Sequence, residues 1–199
     1  YKSAMQEFWF YIKLGLQHVL DINAYDHILF LTALALPFTF KSWKNVLWLA
    51  TVFTVTHCLA LVFSVYEIMV VDATWIEFLI PVTILIAAVY NVFTAGKKDR
   101  GKQIGLLFFN TLFFGLIHGL GFAREFKMFA GQSENKIELL LEFALGIEIA
   151  QIIIVFVVLF LGFLFRTIYR FSRRDWVMVL SAIVIGLVLE ILIRNDYLW

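Results

Sequence analysis

The chain has 199 residues, of which 62% are hydrophobic, 18% aromatic and only 16% charged, against about 45–50% apolar and about 25% charged in a soluble domain. A folded soluble protein of this size leaves roughly 30% of its potential surface exposed. So much apolar side chain therefore fits only lipid, which excludes a soluble enzyme and a disordered tail. The net charge of +1, from 16 basic and 15 acidic residues, gives nucleic acid no long-range attraction, and the single cysteine, Cys58, closes no internal disulfide.

A hydrocarbon core of about 30 Å is crossed by about 20 mostly apolar residues. Two short apolar runs come first, 8–20 and 27–40, parted by the polar Asp21-Ile22-Asn23-Ala24-Tyr25-Asp26. The first carries Lys13 and is short for a full crossing. Five longer runs follow at 46–66, 75–93, 104–122, 137–165 and 176–193. The expected fold is all-α: a polytopic transmembrane bundle of seven helices, or six plus one interfacial helix, forming a single integral-membrane domain over residues 1–199. Trp9, Trp43, Trp48, Trp75, Trp176 and Trp199 lie near the proposed helix ends, where indole rings favour the headgroup level. The opening Tyr1-Lys2-Ser3-Ala4 has no basic run, apolar core or cleavage motif, so no signal peptide is expected there.

Basic residues set the orientation. Lys2, Lys41, Lys44, Lys97, Lys98, Arg100, Lys102, Arg166, Arg170, Arg173 and Arg174 fall on one face, and only Arg124, Lys127, Lys136 and Arg194 on the other. Cytoplasmic loops carry the excess of Lys and Arg, so the loops at 39–45, 95–103 and 166–175 are expected in the cytoplasm. Those at 21–26, 67–74 and 123–136 then face outward. No internal repeat suggests an inverted-repeat transporter.

Against this topology the ionisable groups are not scattered. His18, His27, His57 and His118, together with Asp26 and Glu148, all fall between the outer boundary and the middle of the membrane. Glu148 lies 11 residues past the start of its run, about 16 Å at about 1.5 Å per residue. Ionisable groups at membrane depth cost at least about 2.5–3.5 kcal/mol on insertion scales, so they persist mainly with partners and roles. The convergence predicts a polar, metal-binding site opening outward, although a membrane histidine taken alone is more often a helix-to-helix hydrogen-bond donor than a ligand.

Asp26 also has the residue type of a helix N-cap. Asp26 and His27 are adjacent, their side chains diverge by about 100° on a helix, and they are expected to aim at different spots. Glu148 has Gln151 three residues later on the same face, which allows either a protonated Glu bonded to Gln151 or a ligand and proton acceptor. Gly115 and Gly119 bracket His118 at the small-xxx-small spacing that lets helices approach closely. Asn91 and Asn110 are expected to make packing hydrogen bonds. Imidazole and carboxylate donors suit zinc, nickel, copper(II) or iron(II), whereas the lack of clustered Cys and Met disfavours copper(I).

These residues resemble the HupE/UreJ family of bacterial membrane proteins, in its shorter second branch. Gly15-Leu-Gln-His18 followed by Asp26-His27-Ile-Leu-Phe30-Leu is similar to that branch's opening motif, a histidine ahead of DH-x-LF-L. Phe53-Thr54-Val-Thr-His57 resembles its F-T-x-x-H segment. Phe114-Gly-Leu-Ile-His118-Gly-Leu-Gly-Phe122-Ala resembles F-G-L-x-H-G-x-G-F-A closely, and Phe143-Ala-Leu-Gly146-Ile-Glu148-Ile-Ala-Gln151 resembles F-N-x-G-x-E-x-G-Q. Ala144, Ala150 and Cys58 stand where the pattern has Asn, Gly and Ser.

The resemblance spans residues 15–151. It implies a protein of the bacterial inner membrane that handles nickel or cobalt, with His18, Asp26, His27, His57, His118 and Glu148 as the metal-site candidates. Three functions suit the set. A divalent-metal permease comes first, with nickel, cobalt or zinc as the ion and lipid as the surroundings. An intramembrane zinc-type hydrolase with Glu148 as general base is the alternative, and the third is a structural subunit whose polar groups only cement helices.

Overall fold

The structure, a computed structural model, describes residues 2–69, 71–97, 100–130 and 135–194. Trp199 and Lys98, read above as boundary and loop residues, lie outside the described residues. Seven α-helices follow in order: α1 (Lys2–Leu20), α2 (Asp26–Ala35), α3 (Trp43–Val65), α4 (Ala73–Thr94), α5 (Arg100–Ala130), α6 (Lys136–Ile168) and α7 (Arg173–Arg194), with a 3-10 turn at Phe40–Ser42 before α3. The described residues contain no strand, so the all-α expectation stands.

Helices α3 to α7 are each long and apolar enough to cross a membrane; α1 is not among them, and α2 is a short apolar helix. Large apolar side chains such as Phe93, Phe109, Phe113, Leu141 and Ile193 point out of the bundle, as lipid-facing surfaces require.

Two boundaries differ from the sequence expectation. The 27–40 run is helical only to Ala35, because Pro37 has no N–H and its ring forbids continuation. The 123–136 loop is helical through Ala130. Residues 123–130 hold no Gly or Pro, and Ala123, Phe126 and Ala130 form a buried stripe that keeps the helix docked. The Tyr11 hydroxyl donates to the Phe129 carbonyl oxygen at 2.8 Å, tying α1 to this extension. The loops expected at 39–45, 95–103 and 166–175 are likewise shortened by helix ends that run into them. Gly96 follows α4 with a φ of 86°, the left-handed stop that glycine supplies without strain.

Helices pair through glycines. A Cβ at Gly119 would run into the His57 carbonyl oxygen and Ala60, and one at Gly115 into Thr56 and the Phe53 carbonyl oxygen, so α3 and α5 touch backbone to backbone at the expected small-residue stripe. The α1–α6 pair is reciprocal: a Cβ at Gly15 would strike the Phe143 carbonyl oxygen, and one at Gly146 the Ile12 carbonyl oxygen.

Helix α2 sits between these pairs, contacting α4 and α6 most and also α1, α3 and α7. Seven of its ten residues are buried, as a helix apolar on every side must be. At about 1.5 Å per residue it is about 15 Å long and reaches only half-way through a core of about 30 Å. One end, at Asp26, meets the last turn of α1; the other, at Pro37, meets α4 and α7 on the basic side of the bundle.

Candidate metal centre

Four helices each bring one histidine to the Asp26 end of α2. His18 is in the last turn of α1, His27 is the second residue of α2, and His57 and His118 face each other across the α3–α5 glycine contact. His27 and His118 have ring centroids 3.9 Å apart, and His18 and His27 4.5 Å apart. One nitrogen from each of His18, His27 and His118 lies within 4.8 Å of the other two. His57 stands one layer back, its ring 5.7 to 6.1 Å from the other three. His27, His57 and His118 are buried, and His18 partly so.

Asp26 closes the group. Its Oδ1 lies 3.5 Å from His27 Nδ1 and its Oδ2 lies 3.4 Å from His118 Nε2. This corrects two expectations. Tyr25, not Asp26, holds the N-cap position, and Asp26 is the first helical residue, its Oδ1 accepting from the His27 N–H at 2.9 Å. The side chains of Asp26 and His27 also converge rather than diverge. No helical turn precedes Asp26, so its carboxylate folds over the open end of α2 and reaches both imidazoles.

Among the described residues, His18 Nε2, His27 Nε2, both nitrogens of His57 and His118 Nδ1 are buried without a hydrogen-bond partner. A buried polar atom left unsatisfied costs about 1–3 kcal/mol, and native structures keep few of them. Five in one cluster of imidazoles, beside a carboxylate, match the donor set of a nickel, cobalt or zinc ion. The residues present fit a divalent transition metal.

Glu148 does not join this group. Its carboxylate faces the hydroxyls of Thr54 and Thr51 on α3. Of the two readings left open for Glu148, a bond to Gln151 or a ligand role, the first is not seen among the described residues: Gln151 Nε2 donates to Thr54 Oγ1 at 3.0 Å. Both α6 side chains therefore turn to a single threonine, one helical turn from His57 on the side away from Asp26. Asn91 packs as expected, its Nδ2 donating to the Ala33 carbonyl oxygen at 2.6 Å.

The phenylalanines, which the sequence marks as packing or lipid-facing surfaces without chemistry, bound the site. Phe30, Phe53 and Phe114 are fully buried and lie one turn from His27, His57 and His118, on the side away from Asp26. Phe30 stacks on Phe114 with centroids 3.7 Å apart and an interplanar angle of 12°, and Phe53 leans on Phe114 at 5.4 Å. Phe122 covers His18 at 3.8 Å and stacks in turn on Phe143 at 5.3 Å. The signal was in the sequence: three histidines each have a phenylalanine three or four positions away, which places the two rings on one helix face.

A family model described as HupE / UreJ protein matches residues 1–195, nearly the whole chain. No curated protein and no solved structure matches.

Proposed function

The chain belongs to the HupE/UreJ family, and we propose that it is a divalent-metal permease of the nickel/cobalt type whose cargo binds at His18, Asp26, His27, His57 and His118. The observation that carries this reading is the cluster of buried imidazole nitrogens with no partner around Asp26. We place the protein in the bacterial cytoplasmic membrane as one integral-membrane domain, with the loops at 39–45, 95–103 and 166–175 inside and the Asp26 end of α2 facing outward.

The order of events follows from exposure and charge. The Asp26 side chain keeps 23% of its surface exposed, whereas those of His27 and His118 keep 1% and 5%. An arriving hydrated cation meets the carboxylate first. Neutral imidazoles then replace its waters, an exchange that needs donors already held in place by packing. The half-length α2, running from the histidines at Asp26 to the basic side at Pro37, resembles the broken helices that line transport sites.

Inward of the histidines the rings of Phe30, Phe53 and Phe114 close the way, so release to the cytoplasm requires them to part. Beyond them Thr54, Glu148 and Gln151 offer oxygen ligands on α3 and α6, and we assign Glu148 to this second step. The hydrolase alternative needs Glu148 beside a metal-bound water, and no observation favours that position.

The test is nickel and cobalt content of the purified protein by elemental analysis, together with uptake of either ion into proteoliposomes. The intact protein retains about one ion and loads the vesicles, and His118→Ala does neither. Uptake unchanged by His118→Ala would sink the proposal.

A further inference from the structure

A cavity of about 450 Å³ opens beside the Asp26 end of the bundle, between the end of α3, the start of α4 and the extended part of α5. Its wall is apolar, from Val71, Leu120, Ala123 and Met128, and its charged groups are Arg124 and Lys127. These two cations sit three residues apart on one face of α5. They are half of the four basic residues expected on the outward face. Among the described residues neither forms an ion pair, and no carboxylate lines the cavity. The nearby Asp72 is turned onto its own helix, its Oδ1 accepting from the Thr74 N–H at 3.0 Å.

This chemistry is opposite to that of the histidine cluster. Two cations with no carboxylate repel a divalent metal, so the cavity is not a funnel for it although Leu120 and Gly121 stand within one turn of His118. Cations above an apolar wall match an anion carrying a hydrocarbon tail. The wall agrees: Val71 and Met128 line the cavity and are exposed, as expected of a surface level with the lipid headgroups rather than water.

We propose that this cavity binds one anionic phospholipid of the outer leaflet, its phosphate between Arg124 and Lys127 and an acyl chain along Leu120, Ala123 and Met128. The site is independent of metal transport. A lipid seated there bridges α3, α4 and the extended part of α5.

The experiment is native mass spectrometry of the protein in micelles doped with equal phosphatidylglycerol and phosphatidylcholine. The intact protein retains one phosphatidylglycerol in preference. Each basic residue near an anionic surface contributes about a factor of five, so Arg124→Gln with Lys127→Gln lowers retention by about twentyfold or more. Lys127→Gln alone lowers it about fivefold, and Arg124→Lys with Lys127→Arg keeps it. Equal retention of both lipids by the intact protein would overturn the proposal, as would full retention by the double Gln variant. Displacement of the bound lipid by millimolar inorganic phosphate alone would assign the cations to a free anion and also overturn it.

Discussion

The two ends of α2 are built on opposite terms. At the Pro37 end the carbonyl oxygens of Thr32, Ala33, Ala35 and Pro37 each receive a donor. Pro37 has no N–H to give the Ala33 carbonyl oxygen, and Asn91 of α4 supplies that bond at 2.6 Å instead. The Leu36 N–H bonds the Thr32 carbonyl oxygen at 3.0 Å, the Phe38 N–H bonds that of Ala35 at 2.9 Å, and the Arg173 guanidinium of α7 donates to that of Pro37. At the Asp26 end, eleven residues away, neither His27 Nε2 nor His118 Nδ1 has a partner among the described residues. One short helix thus has a finished end and an unfinished end. Stability and ligand affinity make opposite demands on polar groups: the first wants each bond made within the chain, the second wants donors held in place and left open.

The sharpest way to break this contrast is at the open end. His27→Leu keeps the volume and removes a buried imidazole whose polar neighbours are Asp26 and the other histidines. Retained nickel or cobalt should fall more than about a hundredfold, beyond the 10–100-fold that loss of a mere orienting partner costs. The metal-free protein should melt no lower than the parent, because exchanging an unsatisfied polar group for an apolar one of similar shape is near neutral or favourable. Elemental analysis and thermal unfolding in chelator read the two quantities. A metal-free variant destabilised like a core truncation, by about 2–5 kcal/mol, would make His27 a packing residue and close the open end.

How much of this was legible beforehand divides along the same line. Helix number and the meeting of four histidines followed from apolar run length and from where His18, His27, His57 and His118 fall along those runs. The glycine contact at Gly115 and Gly119 followed from spacing alone. The end of α2 at Ala35 was legible in Pro37 and was overrun because 27–40 reads as apolar throughout; apolarity reports the solvent, not the backbone. The α5 extension to Ala130 was hidden by the reverse error, since Arg124 and Lys127 look like loop residues while Ala123, Phe126 and Ala130 carry the docking stripe. The grouping of Asp26 with both His27 and His118, and of Glu148 with Thr54 instead, depends on side-chain reach between helices, which no single-helix periodicity contains.

At the finished end the expected effect is smaller and of the other kind. Asn91→Leu leaves the buried Ala33 carbonyl oxygen without the donor that Pro37 cannot supply. The cost of an orphaned buried acceptor is about 1–3 kcal/mol, read as a lower midpoint in thermal or denaturant unfolding. Retained metal should stay at the parent level, since the Ala33 carbonyl that Asn91 holds is six residues, more than a turn and a half, from His27. Loss of metal without loss of stability in this variant would reverse the roles of the two ends.

The smallest equilibrium effect should come from Glu148→Gln, and it bears on where the site stops. The replacement keeps an acceptor oxygen toward Thr54 and Thr51 and removes the charge. With no partner shared with His18, His27 and His118, the change should be nearly additive with theirs, within about 0.3–0.5 kcal/mol, so retained metal should stay within about twofold of the parent. Proteoliposome uptake should nevertheless slow, because a neutral amide is a poorer receiver for a cation leaving the histidines than a carboxylate. A fall in retained metal as deep as that of His118→Ala would instead make Glu148 a ligand of the same ion. The Phe30, Phe53 and Phe114 layer would then be no boundary, and the site would run from Asp26 to α6 without a step.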